Sequence, residues 1–261
     1  VSHYHDYTYM DYDTVISGKV SNDWLKTLQS EVRQYINLGP IFSDLIVKRS
    51  NKKSELLKKL NIDGYDKIIA FVDSPTGFTA VSNNNSYEAY LDSLLRLSVK
   101  NPSCLYILKT KKKLTHIKLH SNAKIISLLD EIQNSKNILY ANDINLSVYD
   151  AIGLSDLTVS GPESSAIFES WYARKKTICY DANGQYKDSE SMENHIPKCK
   201  ALLFEEVEKL HDYWLHQVND DQLNDYLDLY IKPYFDNKFA QGNDMMRLRE
   251  IIHSDCVTNT H

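Results

Sequence analysis

Two adjacent hydroxyls, Ser164 and Ser165, follow a Gly161-Pro162 step, and a carboxylate, Glu169, lies four residues after the second serine. The stretch reads SGPESSAIFES, residues 160–170. If a strand ends before Pro162 and a helix follows it, the serines stand at the helix start. Unpaired backbone N–H groups and the positive end of the peptide dipoles favour an anion there. Hydroxyl donors beside them complete a site for a phosphate. Glu169, one turn further on the face of Ser165, could accept hydroxyls of a ribose joined to that phosphate. The same residues also suit an ordinary helix cap, with Ser164 as N-cap and Glu169 in solvent.

A second cluster closes LYILKTKKK, residues 105–113. Lys109 and Lys111, the first of the run, are placed to neutralise a phosphate held by the next helix start, while Lys113 reads as a solvated turn. In DSPTGF, residues 73–78, Thr76 and Gly77 would let the backbone approach a ligand closely. His3, His5 and Asp6, in SHYHDY, are the candidates for a catalytic base. His116 and His120 are four apart but lack the glutamate of HExxH, and read as structural. Neither G-x-G-x-x-G nor G-x-x-x-x-G-K-[ST] occurs, which weighs against NAD and ATP enzymes. Cys104, Cys179, Cys199 and Cys256 have no metal-ligand spacing, so no metal site is expected. Their usage fits a reduced, cytoplasmic protein.

The elements that must position these groups alternate from about residue 66 to 204. Apolar, β-branched runs predict strands in DKIIAFVDS, SCLYILKT, NILYAN, DLTVSG, KTICYDA and KALLF. Amphipathic stretches between them predict helices in SYEAYLDSLLRLSVKN, AKIISLLDEIQNS, NLSVYDAIGLS (capped by Asn145 or Ser147) and SSAIFESWYARK. Helices follow in EEVEKLHDYWLHQV, DQLNDYLDLYI and NDMMRLREIIH. Upstream, NDWLKTLQSEVRQYI predicts a helix, TVIS a short strand and KRSNKKSELLKKLNI a basic helix or linker. The alternation implies an α/β fold: a Rossmann-like, doubly wound parallel sheet with helices on both faces and C-terminal helices beyond it. Such sheets bind ligands at the carboxyl ends of their strands. The loops DSPTGF, KTKKK, GPESS and DANGQY should therefore converge.

The 261 residues carry a formal net charge of −5 and no basic tail, so nucleic acid is not an expected partner. No apolar run approaches the length of a membrane span, and 18 tyrosines read mainly as packing.

The segment YDAIGLSDLTVSGPESSAIFESWYARKKTICYDANGQY resembles the nucleotide-sugar-binding region of GT-B glycosyltransferases. It is most similar to bacterial surface-polysaccharide transferases of the Kdo-transferase and teichoic-acid glycerophosphotransferase type. The shared pattern is an SDL strand, a Ser-Ser helix start, a helical glutamate and a strand matched by KTICYD. FVDSPTGF, the helix after it and the KTKKK strand end resemble the family's first strand, helix and lysine-bearing turn. FDNKFAQGNDMMRLREII is similar to its closing segment. The chain departs from the pattern at KTKK, where many relatives carry Lys-Pro-His-Pro, and at SWYARKK, which lacks the glycine and proline of a common turn.

The resemblance implies one lobe of a two-lobed GT-B enzyme. Residues 1–60 would be the end of an N-terminal lobe and a linker, and residues 61–261 the nucleotide-sugar-binding domain with its C-terminal helices. The chain would be the donor lobe of a longer protein, with the acceptor and usually the catalytic base in the missing N-terminal lobe. It would transfer sugar from a CMP-, CDP- or UDP-linked donor, without metal or other cofactor, to a glycan or glycolipid acceptor. Peripheral association with the inner face of the membrane would accompany that role. Ser164, Ser165, Glu169, Lys109, Lys111, Thr76 and Gly77 would bind the donor. A sugar-nucleotide epimerase-like enzyme and a non-catalytic nucleotide-sugar-binding domain are the alternatives.

Overall fold

A computed structural model of the chain describes residues 9–15, 31–37, 42–73, 84–161, 164–182, 184, 204–232, 240–243, 246 and 249–250. Its centre is a five-stranded, all-parallel sheet in the order β5-β4-β3-β6-β7. The strands are β3 (Lys67–Val72), β4 (Cys104–Lys109), β5 (Ile138–Tyr140), β6 (Leu157–Ser160) and β7 (Thr177–Cys179). All five were expected from the sequence. The strand expected in KALLF lies mostly outside the described residues, and Phe204 opens a helix instead.

Strands buried on both faces must be apolar on both, and KIIAFV in β3 and CLYILK in β4 are. On one face Ile69, Phe71, Tyr106 and Leu108 pack with Leu91 and Leu94 of α3 (Asn84–Lys100) and with Ile125 and Leu129 of α5 (Ala123–Asn134). The short α4 (Leu114–Leu119) precedes α5. On the other face Ile68, Ala70, Val72, Leu105 and Ile107 pack with Ala151, Ile152 and Leu154 of α6 (Val148–Leu154). Connections thus leave β3 on opposite faces, toward β4 on one side and from β6 on the other. This is the strand-order reversal at which such sheets open a crevice.

Upstream the structure departs from the sequence reading. Overlapping the end of the segment expected to be helical, Glu31–Asn37 forms strand β2, paired in parallel with β1 (Tyr9–Val15) in a separate two-stranded sheet. Spacing of Val32 and Ile36 suits a helix, but a pairing partner decides for the strand. The basic segment forms α1 (Ser43–Asn51) and α2 (Lys53–Lys59), and α1 is no free linker. Ile46 is fully buried in the second core face. A Cβ added at Gly153 of α6 would lie 2.4 Å from the Arg49 Cβ, so the helices approach as closely as glycine permits. Residues 43–51, upstream of the boundary expected at 60, are therefore packed against the sheet domain. Behind them the Lys175 ammonium donates to Ser50 Oγ (3.2 Å) and to the Gly153 carbonyl (3.3 Å). Burial lowers its pKa to about 8.

Downstream, α7 (Ser165–Tyr172) leads from β6 to β7, and α8 (Phe204–His216) and α9 (Asp220–Tyr226) follow. Lys176 fastens them to the sheet by donating to the carbonyls of Trp214 (2.8 Å) and Val218 (2.7 Å). Among the described residues, no helix is long and apolar enough to cross a membrane.

Candidate functional site

The carboxyl ends of β3, β4 and β6 open into a cleft of about 450 Å³. Its lining includes Asp73, Lys109, Thr110, Lys111, Ser147, Tyr149, Ser164, Ser165 and Glu169. The floor is stitched across the β3–β6 seam, where Ser160 Oγ donates to the Val72 carbonyl at 2.8 Å.

One wall is the start of α7. Ser164 is its N-cap, with Oγ accepting from the Ala166 N–H at 3.3 Å. Ser165 is exposed, and no acidic residue stands in the first turn. The capping role weighed for Ser164 is thus real: it takes the Ala166 N–H on its hydroxyl and the Ile167 N–H on its carbonyl (3.1 Å), while Ser165 lines the cleft beside it. The solvated role for Glu169 is not. Burial raises its carboxyl to about 7, against the hydrogen bond from Ser165 that favours the ionised form.

The opposite wall is the turn after β4. Lys109 donates from Nζ to Asn142 Oδ1 at 2.7 Å, and burial lowers its pKa against the attraction of Asp73 and Asp150. Lys111 is exposed at the rim. Lys112 and Lys113 are exposed but do not line the cleft. The turn is clamped from both sides. From β3, the Asp73 N–H donates to the Lys109 carbonyl (3.0 Å) and Asp73 Oδ1 accepts from the Lys111 N–H (2.8 Å). From beyond β5, Asn142 Nδ2 donates to the carbonyls of Thr110 (3.2 Å) and Lys112 (3.1 Å). Asp73 is 7% exposed, and burial raises its carboxyl to about 7 although the Lys111 N–H and the Lys109 charge pull the other way. Beside it the buried Tyr87 hydroxyl has no hydrogen bond of normal geometry.

Five residues chosen from the sequence, Ser164, Ser165, Glu169, Lys109 and Lys111, therefore share one cleft. Thr76, Gly77, His3, His5 and Asp6 lie outside the described residues. The rings of His116 and His120 sit 4.7 Å apart, away from the cleft. Among the described residues, no group of three or more His, Cys, Asp or Glu could hold a metal ion. Asp73, Thr110, Asn142 and Tyr149 were missed as site residues. The signal for Asp73 was its place at the end of an apolar run, where a strand's carboxyl end must be; Asn142, behind the lysines, carried none.

Residues 1–203 match the family model described as polysaccharide biosynthesis PFTS motif protein. The chain belongs to that family. A search of curated proteins finds no sequence match to this PFTS-motif protein. Among solved structures it is similar to the wall teichoic acid polymerase TagF soaked with CDPG, with TM-score 0.64 and 15% identity over 96% of this chain and 58% of that one. A second TagF structure gives TM-score 0.60 and 16% identity over 96% and 60%. A UDP-GlcNAc 2-epimerase from Neisseria meningitidis bound to UDP-GlcNAc reaches TM-score 0.48 and 16% identity over 84% and 55%. The chain thus spans about three fifths of the length of the TagF structures. The TagF likeness is one of fold, and the fold is that of a GT-B lobe, as the sequence implied.

Proposed function

We propose that this PFTS-motif protein is the donor-binding part of a metal-independent GT-B glycosyltransferase of bacterial surface-polysaccharide biosynthesis. The observation that carries the reading is the convergence of the α7 start, Lys109, Lys111 and Glu169 on one cleft at the β3–β6 seam. The donor phosphate would lie at Ser164 and Ser165, with its negative charge met by the helix N-terminus and the two lysines. Glu169 would accept from the ribose hydroxyls. The same fixed donors would stabilise the nucleoside phosphate as it leaves, so the step needs no metal Lewis acid.

A CMP-, CDP- or UDP-linked sugar would be the donor and a glycan or glycolipid the acceptor, with acceptor and catalytic base presented by an opposing lobe. The reaction would take place in the cytoplasm, at the inner face of the membrane. Calorimetric titration with CMP-, CDP- and UDP-linked sugars tests the donor role. Binding of at least one at micromolar to millimolar concentration is expected, and Lys109→Ala and Lys111→Ala should weaken it more than Lys113→Ala does. Silence across the panel at millimolar concentration overturns the reading.

A further inference from the structure

Asp73 has no counterpart in the donor contacts described above, yet it lines the same cleft and is almost fully buried. Its backbone N–H and its carboxylate hold both ends of the Lys109–Lys111 turn, at 3.0 and 2.8 Å. Lys109 itself does not donate to it but to Asn142. The groups facing the carboxyl are Lys109 and Lys111 from the turn, Tyr87 and Tyr90 from α3 and Tyr140 from β5. The hydroxyls of Tyr90 and Tyr140 donate elsewhere, to the carbonyls of Val159 (3.3 Å) and Lys112 (3.2 Å), so the hydrogen bond that fixes the carboxyl is the one from the turn.

We propose that Asp73 is a positioning residue: it pins the turn that carries Lys109 and Lys111 within reach of an anion at Ser164 and Ser165. The proposal rests on the donor-phosphate reading of that helix start. Its hydrogen-bonding and charge effects have opposite signs. The acceptor oxygen organises the lysines in either protonation state. The negative charge, present once the carboxyl ionises, opposes the arriving anion. Burial sets that change near neutral pH, with the carboxyl at about 7. Anion affinity should therefore fall as pH rises from 6 to 8.

Inorganic sulfate is the probe, because it is a dianion of phosphate size whose charge is constant over that range. Glu169 is also raised to about 7, so the parent for the test carries Glu169→Gln. Its sulfate affinity should fall about three- to tenfold between pH 6 and 8, as one carboxylate forms in the cleft that holds the anion. Adding Asp73→Asn keeps an acceptor for the Lys111 N–H and should leave the pH 6 affinity unchanged while abolishing the fall. Adding Asp73→Ala should weaken binding about tenfold or more at both pH values, because the Lys111 N–H loses its partner and the turn its clamp. Equal behaviour of Asn and Ala would mean that charge alone matters and would overturn the positioning role. A pH slope that survives Asp73→Asn, or a parent that binds no sulfate, would overturn it as well. If the alanine variant does not fold, the asparagine arm decides. Nucleotide-sugar binding without sulfate binding would sink this proposal and leave the donor reading standing. Sulfate binding that follows the expected pattern, without nucleotide-sugar binding, would overturn the donor reading and leave Asp73 only as the clamp of a general anion site.

Discussion

Two helices begin on the same cleft, and their beginnings are built differently. At α6, Ser147 caps the Asp150 N–H (3.1 Å), and Asp150 reaches back to the Ser147 N–H (3.0 Å) in a complete capping box. Arg49 of α1 then pairs with Asp150 at 2.6 Å. This helix start carries its own anion, already neutralised. At α7 the corresponding third position is Ile167, which is fully buried in the core. No acid can stand there, so the start of α7 keeps its positive end for something else. A closed cap makes α6 a fixed wall, and an open one makes α7 a candidate receptor.

The largest effect should come from attacking the fixed wall at its other end. Gly153→Ala forces a Cβ against Arg49 and the Ile46 carbonyl and should destabilise the fold by about 2–3 kcal/mol, as overpacking does. Urea denaturation reads this directly. An unchanged midpoint would mean that α1 is not seated on α6 in solution.

Glu169 sharpens the contrast from the open side. Its carboxyl rises from 4.5 to about 7 on folding. Between those values the folded state binds more protons than the unfolded state, so its contribution to stability is lost as pH rises through about 7. Glu169→Gln should raise stability by roughly 1–3 kcal/mol at pH 8 and leave it unchanged at pH 4. Denaturation curves at the two pH values check the sign. Equal shifts at both would place the cost elsewhere than in ionisation.

The two caps themselves give the smaller effects. Asp150→Ala removes half of the capping box and the partner of Arg49, and should cost about 1–2 kcal/mol of stability with nucleotide-sugar affinity retained. Ser165→Ala should do the opposite. Stability should stay within about 0.5 kcal/mol, while affinity for a nucleotide sugar should fall by about 0.5–1.5 kcal/mol. If Ser165→Ala destabilises and Asp150→Ala weakens binding, the assignment of the two helix starts is reversed.

Local signals account for most of what the sequence revealed. Apolar runs bounded by Asn101-Pro102 or Gly161-Pro162 mark strands whose burial on both faces leaves no alternation to misread. The rule that ligands meet parallel sheets at strand ends then brought Lys109, Lys111, Ser164, Ser165 and Glu169 to one place. Failures had non-local causes. Glu31–Asn37 is a strand because Tyr9–Val15 pairs with it, and nothing within seven residues announces a partner. The seat of α1 depends on the missing side chain of Gly153, about a hundred residues away. Asp73 and Asn142 work through main-chain groups of a turn belonging to neither, so their side-chain chemistry pointed to no particular target.

The seam beneath the cleft also has a consequence in time. Strands β3 and β6 are neighbours in space, but the Ser160–Val72 stitch joins residues 88 apart in sequence. The Asp73–Lys111 clamp spans only 38. Bringing the distant pair together costs about 4 kcal/mol of chain entropy before any contact rewards it, and pairings of that span form slowly. The lysine turn can assemble with its own βαβ unit, whereas the cleft exists only once β6 has docked. A molecule bound across that seam would leave the folding rate nearly untouched and act on the reverse step, slowing the departure of β6 from β3.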